Sequence, residues 1–495
     1  MSAASAIPAV EYEVVIGLEV HSQLLTKSKM FCSCAADYAN AEANTHTCPI
    51  CMGYPGVLPV INQQAVDFTI MTALALNCEI PDFSKFDRKN YFYPDLPKGY
   101  QISQYDRPLS RHGYLNIEVN GESRTIGITR VHLEEDTGRL RHETGFGESR
   151  TLVDLNRAGV PLMEIVSEPD MRSPEEARLY MEKLRTILVY LGVSSGKMEE
   201  AALRCDANIS VRPRGQTELG VKTEIKNMNS FRAVERALAF EATRQIEELR
   251  AGGHIQQQTR GWIEDKGITV LQRVKEYADD YRYFPEPDLP PLLVTREWVE
   301  RLRAQLPELP DAKQTRFQQR YALSARDAAQ LVAERNLADY FETAVGVDKP
   351  TDTAARAKNV ANWLLGDVRR LLNAEGLDIA NSRLTPAALA DLLDLIDAGT
   401  ISGKQAKDVL ERAFASGEQP RDIVAREGIA QLSDSGELER IIAEVIAENP
   451  KAVEDYRAGK MASAQFLVGQ VMKRTKGRAK PDMVNPLLVN QLEQA

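Results

Sequence analysis

The sequence predicts an α+β protein, with a mostly antiparallel β-sheet domain that carries helices in its first half and an all-α second half. Strand-like alternation of apolar and polar residues recurs in the first half, at 12–20, 124–135 and 203–211. A proline cluster at 285–291 marks a boundary, and the composition beyond it turns to Ala, Leu, Glu, Arg and Lys with helical periods. A chain of 495 residues is long enough for about three domains.

The strands are predicted from their period of two. On 12–20 the apolar residues share one face, so Glu19 and His21 point together to the other face. A turn-rich stretch joins 203–211 to 221–228, which predicts that these two runs form a hairpin. Such pairing would place carboxylates and lysines from both strands side by side.

Two helices of the first half carry start and stop signals. Ser173 and Glu176 predict a capping box, and the apolar stripe that follows ends at Gly192. A second stripe begins after Ser230 and ends at Gly252. Both stripes are interpreted as core.

The charge balance limits the possible partners. With 61 Lys and Arg against 71 Asp and Glu, the formal net charge is −10, so any nucleic-acid contact must be a local patch. The N-terminus lacks the basic and apolar regions of a signal peptide, and no apolar stretch is long enough to span a bilayer. We therefore expect a cytoplasmic protein without a membrane segment.

A basic run near the end is the best candidate for phosphate contacts, although such a run can also be a solvated face. It consists of Lys473, Arg474, Lys476, Arg478 and Lys480.

Four of the six cysteines are clustered. Cys32 and Cys34 form one close pair, and after thirteen residues Cys48 and Cys51 form a second. Two such pairs can close a tetrahedral thiolate site, which predicts structural zinc. Unliganded thiols and redox chemistry are the alternatives, and His46 is a conceivable substitute ligand.

Several acidic residues and one histidine lie on predicted strand faces: Glu19, His21, Glu134, Glu135, Asp206 and Glu224. Hard divalent cations such as Mg²⁺ prefer oxygen ligands, so these side chains form a metal site for ATP if their strands meet. A solvated strand edge is the alternative interpretation. No Walker A loop, nucleophile elbow or dinucleotide fingerprint with the required context is present.

An aromatic stretch at 91–100 adds a second candidate site. Tyr91, Tyr93, Tyr100 and Lys98 offer stacking surfaces and a phosphate partner, which suits an adenine base or a nucleotide end. An aromatic loop packed on the sheet is the other possibility.

Longer motifs connect these features. VIGLEVH at 15–21, the cysteine block closed by GYPG at 53–56, NYFYPDLPKGY at 90–100 and DLNRAGVPLMEIVS at 154–167 resemble the B subunits of tRNA-dependent amidotransferases. Further matching blocks lie at 132–136, 198–200, 204–208 and 222–231. The resemblance extends over nearly the whole chain. The first ten residues lie outside it, and Ala201-Ala202 stands where relatives often carry Gly-Ser.

The resemblance implies a fold with three parts: a cradle domain at 1–293, a helical domain at 294–415 and a small YqeY-like helical tail at 416–495. It also implies an activity in complex with an amidase subunit and a small third subunit. Such complexes convert glutamate on tRNA(Gln), or aspartate on tRNA(Asn), into the amide. Within them, the kinase subunit phosphorylates the side-chain carboxylate with ATP and Mg²⁺ and receives ammonia from the amidase through a tunnel.

Carried over by position, the resemblance implies Mg²⁺ ligands at Glu19, His21, Glu135, Asp206 and Glu224. It implies a structural zinc knuckle at Cys32, Cys34, Cys48 and Cys51. Together with Glu135, we assign Lys98, Arg204 and Lys226 as catalytic residues that contact the phosphates of ATP or the acyl phosphate. We assign Tyr91, Tyr93 and Lys98 to the nucleotide or the tRNA 3′ end, and the basic run to the tRNA body.

Two alternatives remain open. One is a non-catalytic tRNA-binding scaffold whose acidic residues hold a structural ion. The other is a free-standing carboxylate-amine ligase that acts on a small molecule without tRNA.

Overall fold

The computed structural model describes residues 10–145, 148–274, 281–347, 352–429, 435–458, 460–475, 478–479 and 481–494. Its strands are β1 Tyr12–Gln23, β2 Phe83–Ser84, β3 Asp87–Asn90, β4 Tyr100–Ser103, β5 Ser110–Val119, β6 Glu122–Glu135, β7 Arg139–Gly145, β8 Glu148–Asp154, β9 Pro161–Ser167, β10 Leu203–Pro213, β11 Thr223–Lys226, β12 Gln258–Ile263, β13 Ile268–Val274, β14 Phe284–Pro285 and β15 Leu292–Leu293.

The helices of the first compact unit, residues 1–310, are α1 Gln63–Ala75, α2 Pro174–Leu191, α3 Phe231–Arg250 and α4 Arg296–Arg303. Those that follow are α5 Pro310–Tyr321, α6 Ala325–Val332, α7 Arg335–Gly346, α8 Thr353–Trp363, α9 Arg369–Glu375, α10 Pro386–Asp397, α11 Gly403–Ser416, α12 Pro420–Glu427, α13 Ser435–Glu448, α14 Pro450–Arg457, α15 Ala462–Arg474 and α16 Pro481–Gln494.

The first unit is built on an eight-stranded sheet in the order β13-β12-β11-β10-β1-β9-β6-β5. Every neighbouring pair is antiparallel except β11 and β12, which are parallel. A parallel pair needs a crossover connection, and α3 supplies it. The predicted mostly antiparallel sheet and the hairpin of β10 with β11 are confirmed.

The sheet has one apolar and one polar face because its strands alternate. The apolar residues of β1, such as Ile16 and Leu18, are buried with those of β10 in a single core. Helices α1, α2 and α3 pack on this face. The opposite face is left for polar side chains.

The two predicted helices form with one local difference. Ser173 caps α2 by accepting a hydrogen bond from the Glu176 N–H, as expected. The Glu176 carboxylate, however, accepts from the N–H of Arg172 and not from that of Ser173, so the capping box is not reciprocal. Ser230 caps α3 as predicted.

The second compact unit, residues 311–495, consists of helices throughout the described residues and includes a π-helical turn at Leu364–Val368. It holds two separate hydrophobic cores, one formed by α5–α12 and one by α13–α16. The predicted domain boundaries at 293/294 and 415/416 stay predictions. Within the described ranges, no helix combines the length and the apolar character needed to cross a membrane.

Candidate active site

A row of ionisable side chains crosses the polar face of the sheet. The register pairs His132 on β6 with Glu164 on β9, Glu164 with His21 on β1, and His21 with Arg204 on β10. Directly paired residues project from the same face of a sheet. Four strands that are distant in sequence therefore bring these four groups into one line.

Two further rows run beside the first. Glu19 on β1 is paired with Asp206 on β10, and Asn208 is paired with Glu224 on β11. The Asn208 amide donates to Glu19 Oε1 at 3.0 Å, and the Thr259 hydroxyl donates to Glu224 Oε2 at 2.8 Å. These hydrogen bonds hold two carboxylates in place on the sheet.

These rows line a cavity of about 540 Å³. Its acidic lining residues are Glu19, Glu134, Asp136, Glu164, Asp206 and Glu224. Its basic lining residues are Lys89, Arg130, Arg204, Lys222 and Lys226, together with His21 and His132. A pocket of this composition suits a highly charged ligand accompanied by a cation.

Two basic side chains neutralise part of the acidic lining. Lys226 forms ion pairs with both Asp206 and Glu224, and its Nζ lies 3.1 Å from Glu224 Oε1. Arg204 Nη2 lies 3.0 Å from Asp136 Oδ2. The sequence-predicted residues Arg204 and Lys226 thus both line the cavity.

His132 is buried between two carboxylates. Its Nε2 lies 3.1 Å from Glu164 Oε2 and 3.5 Å from Glu134 Oε1. Burial alone would lower the pKa of His132, but the two carboxylates outweigh it and raise the pKa to about 9. Ser103 and Gln101 donate further hydrogen bonds to Glu134, at 2.7 and 3.1 Å.

The carboxylates near His21 suit a metal ion. Ligand atoms of His21, Glu134 and Glu164 all lie within 4.8 Å of one another. Burial and the neighbouring carboxylates, first that of Glu164, raise the pKa of Glu19. The negative charge of ionised Glu19 is therefore not fully balanced by nearby positive charge. A divalent cation would supply that compensation, and the oxygen-rich donor set fits Mg²⁺.

Two of the predicted catalytic residues, Glu135 and Lys98, do not line this cavity. Glu135 forms an ion pair with Lys98, and its Oε1 accepts a hydrogen bond from the Ile102 N–H at 3.0 Å. Successive side chains of a strand leave it on opposite sides, so Glu135 cannot share the position of Glu134. Among the predicted magnesium ligands, Glu19, His21, Asp206 and Glu224 line one cavity, which Glu134 also lines and Glu135 does not.

The sequence interpretation missed Glu164, although the signal was present. Glu164 is the one charged residue of β9 and has apolar neighbours on both sides, and 7% of its surface is exposed. A carboxylate in such a run must meet a partner when it is buried.

The tyrosines lie next to the polar lining. Tyr91 lines the first cavity, and Tyr91 and Tyr93 both line a second cavity of about 630 Å³. The two cavities share Tyr91, Lys226 and Tyr281. The segment 91–93 therefore borders the same region as the carboxylates.

The four clustered cysteines come together as predicted from their spacing. The Sγ atoms of Cys32, Cys34, Cys48 and Cys51 lie within 4.8 Å of one another. A zinc ion bound to four thiolates separates them by about 3.8 Å, and the Sγ atoms of Cys48 and Cys51 are 3.9 Å apart. Hydrogen bonding from Cys32 and the nearby Lys29 ammonium lower the pKa of Cys51 to about 4. The donor set fits zinc.

The basic run is described only in part. Lys476 and Lys480 lie outside the described residues, whereas Lys473, Arg474 and Arg478 lie within them. Arg474 forms ion pairs with Glu448 and Glu444, at 2.6 and 3.0 Å. Lys473 is exposed. The contact of this run with tRNA stays a prediction.

Comparison with known proteins assigns the chain to a family. The GatB/GatE catalytic domain matches residues 14–300, and the GatB domain of the Yqey type matches residues 339–492. The first match contains the sheet with its cavity, and the second falls in the helical unit. The chain is therefore a member of the GatB/GatE family.

Full-length relatives show to which group within this family the chain belongs. The B subunit of an aspartyl/glutamyl-tRNA(Asn/Gln) amidotransferase from Moorella thermoacetica is 58% identical over 482 residues, which cover 97% of this chain and 100% of that protein. The protein of the same name from Carboxydothermus hydrogenoformans is 56% identical, with coverage of 97% and 99%. The chain belongs to the aspartyl/glutamyl-tRNA(Asn/Gln) amidotransferase B subunits, which confirms the sequence resemblance.

Proposed function

We propose that this chain is the kinase subunit of a heterotrimeric, glutamine-hydrolysing amidotransferase, together with an amidase subunit and a small third subunit. Its substrates are glutamate esterified to tRNA(Gln) or aspartate esterified to tRNA(Asn). It acts in the cytoplasm, where aminoacylated tRNAs are used. The observation that supports the proposal is the cavity on the polar face of the sheet, in which carboxylates, lysines, arginines and tyrosines converge. The relatives are named as B subunits of an aspartyl/glutamyl-tRNA(Asn/Gln) amidotransferase, which supports the tRNA substrates and the transfer of an amide group.

The chemistry takes two steps. A side-chain carboxylate oxygen of the aminoacyl group attacks the γ-phosphorus of ATP, and the bond to ADP breaks. Ammonia, channelled from the amidase, then attacks the acyl carbon, and phosphate leaves with the electron pair of the carbon–oxygen bond. A carboxylate is a poor acyl donor, whereas an acyl phosphate carries a good leaving group. Phosphorylation by ATP therefore allows ammonia to form the amide.

The lining residues divide between metal and phosphate. Glu19, His21, Glu134, Glu164, Asp206 and Glu224 would hold Mg²⁺. When bound, Mg²⁺ neutralises phosphate charge during the transfer. Lys226 and Arg204 contact lining carboxylates, and they would donate hydrogen bonds to the phosphates and the acyl phosphate.

Three assignments are changed or kept as proposals. Glu134 replaces Glu135 in the proposed metal set, since Glu135 is held by Lys98 away from the cavity. Tyr91 and Tyr93 border the proposed site for the nucleotide or the tRNA 3′ end. The cysteine cluster would hold a structural zinc ion, and the basic run of the tail would contact the tRNA body.

The test is amide formation on glutamyl-tRNA(Gln) and aspartyl-tRNA(Asn) by the complete complex, with ammonium supplied directly so that the glutaminase is bypassed. The variant is Glu134→Gln, and the matched control is Glu118→Gln, an exposed carboxylate on β5. We expect ATP-dependent amide from the wild type and the control and at least about a hundredfold less from Glu134→Gln.

Two results would contradict the proposal. Equal activity of Glu134→Gln would favour a tRNA-binding scaffold whose acidic residues hold a structural ion. ATP turnover by the wild type without tRNA, and no amide on tRNA, would favour a ligase for small molecules. The two tRNA substrates, assayed separately, identify the physiological one.

A further inference from the structure

A strap formed by residues 281–288 closes one side of the main cavity. It follows β13 in the chain and pairs antiparallel with β3, which places Phe284 opposite Arg88 and Pro285 opposite Asp87. Tyr281 and Tyr283 project from the strap and line the cavity. This wall therefore comes from a segment that is distant from β3 in the sequence.

The strap is fixed at its first end by the backbone. The Asn90 N–H donates to the Tyr281 carbonyl at 2.9 Å, and the Asn90 side-chain amide donates to the Arg282 carbonyl at 2.8 Å. Arg282 has a φ of 44°, a left-handed conformation that a non-glycine residue adopts only when its surroundings hold it there. The Asn90 contacts supply part of that hold.

The other end is held by a two-bond ion pair, which we call the clasp. Arg88 Nε and Nη2 donate to Glu286 Oε2 and Oε1 at 2.7 and 2.8 Å. The Glu286 side chain is fully buried, and the Arg88 guanidinium lies 4.2 Å from the centroid of the Tyr100 ring. A planar fork with two bonds fixes orientation as well as distance. Neither partner of the clasp lines the cavity.

The clasp and the Asn90 contacts give the aromatic wall a fixed shape. Tyr283 stacks on Tyr105 with ring centroids 4.2 Å apart and an interplanar angle of 10°. Tyr281 meets Tyr91 edge to face at 6.2 Å, and it meets Tyr283 in the same way at 6.1 Å. Four tyrosines thus form one series of contacting rings at the cavity.

We infer that this wall binds an adenine ring, and that Arg88 and Glu286 are positioning residues that hold Tyr281 and Tyr283 in place for it. The inference rests on the proposed function, in which both substrates, ATP and the aminoacylated tRNA end, carry an adenine. Aromatic side chains bind bases by stacking, and their affinity depends on a fixed orientation. The shared ligand chemistry is the adenine ring, and the experiment separates its two sources.

The experiment measures binding to the full chain purified with its partner subunits. ATP is compared with tripolyphosphate, which lacks the base, and an acceptor-stem RNA hairpin ending in CCA is compared with one ending in CC. The affinity ratio within each pair reports the contribution of the adenine. Variants are Tyr281→Leu, Tyr281→Phe, Arg88→Gln and the double variant Arg88→Gln/Tyr281→Leu. The control is Arg236→Gln, which removes an exposed ion pair with Glu264.

We expect Tyr281→Leu to lower the adenine-dependent ratio of one probe pair about fivefold, since one stacking surface is lost. Tyr281→Phe keeps the ring and should stay within about twofold of the wild type. Arg88→Gln should match the loss in Tyr281→Leu, and the double variant should lose no more than either single variant, because the clasp acts through the tyrosine. A loss confined to ATP identifies the nucleotide as the source, and one confined to the CCA hairpin identifies the tRNA end.

Several outcomes would overturn the inference. If Tyr281→Leu leaves the ratio of both probe pairs unchanged, the tyrosine wall does not bind adenine. If the losses are additive in the double variant, the clasp does not act by positioning Tyr281. If Arg88→Gln does not fold by thermal unfolding, the comparison of Tyr281→Leu with Tyr281→Phe still decides whether the ring binds adenine. A wild type that prefers neither ATP nor the CCA end overturns this inference alone, whereas a wild type that binds neither ATP nor tripolyphosphate contradicts the proposed function.

Discussion

Glu134 and Glu135 are neighbours on β6, but their carboxylates lie in different surroundings. The Glu134 carboxylate lines the polar cavity beside His132, whereas the Glu135 carboxylate is paired with Lys98 and with the backbone N–H of Ile102. Alternation along the strand separates them, since successive side chains leave a strand on opposite sides. Two adjacent acidic residues therefore serve different purposes, one at the site and one in the packing beneath it.

The first prediction follows from this separation. Glu134→Gln should weaken Mn²⁺ binding by about tenfold or more, because a charged ligand is lost. Glu135→Gln should leave Mn²⁺ affinity within about twofold but lower the free energy of unfolding by about 3 kcal/mol, since it leaves the Lys98 ammonium buried without its partner. Mn²⁺ titration and denaturant unfolding of both variants measure the two quantities. The reverse pattern would place Glu135 at the metal.

The second prediction concerns pH and His132. The pKa of about 9 in the folded state lies above the ordinary value of 6.5, so the protonated imidazole stabilises the fold. That stabilisation is complete below pH 6.5 and is lost as the pH rises through 9, and it amounts to about 3 kcal/mol. Denaturant unfolding in EDTA at pH 6 and pH 9 should show a difference that His132→Gln removes and His254→Gln, a substitution away from the cavity, retains. A slope shared equally by all three proteins would exclude His132 as its origin.

The third prediction tests the cysteine cluster. The purified wild type should carry about one zinc ion per chain, and Cys51→Ser should lose it and unfold at a lower temperature, because zinc binding contributes directly to folding. Cys78→Ala, at a buried cysteine outside the cluster, should keep the metal. Zinc content after dialysis, measured beside thermal unfolding, decides the matter. Metal-free wild type whose unfolding temperature does not respond to added zinc would contradict a structural site.

The fourth prediction concerns the turn before β10. Ala201 has a φ of 56°, a left-handed conformation that glycine adopts without steric cost. Ala201→Gly should therefore raise the free energy of unfolding by about 0.5–1 kcal/mol. Ala202→Gly is the control, and it should destabilise, since Ala202 does not have a positive φ. Lower stability of Ala201→Gly would show that the turn does not strain alanine.

The sequence predicted the sheet elements well because their signals are local. The alternation in β1 and in β10 separates polar from apolar faces without knowledge of any partner strand. It did not predict the neighbours of each strand: β1 lies between β9 and β10, which are both distant from it in the chain. That order depends on packing against the helices, which no local pattern contains.

The candidate site was predicted in part for the same reason. The alternation of side chains along β1 placed Glu19 and His21 on the correct face of the sheet. The same alternation could have separated the two acidic residues of β6. Glu135 shares a face with the apolar Val131 and Leu133, whereas Glu134 shares a face with His132. Tyr281 and Tyr283 could not be found, because a strap that pairs with the distant strand β3 leaves no periodic signal. The neighbouring prolines indicated only a boundary.

The measurement that tests the central claim most directly follows an oxygen atom. Glutamyl-tRNA(Gln) is prepared with ¹⁸O in the side-chain carboxylate, and the complete complex converts it with ATP and ammonium. If the carboxylate is phosphorylated, one ¹⁸O leaves with each phosphate released, so phosphate should contain ¹⁸O in proportion to the amide formed. Amide formed with no ¹⁸O in the phosphate would contradict carboxylate activation at this site.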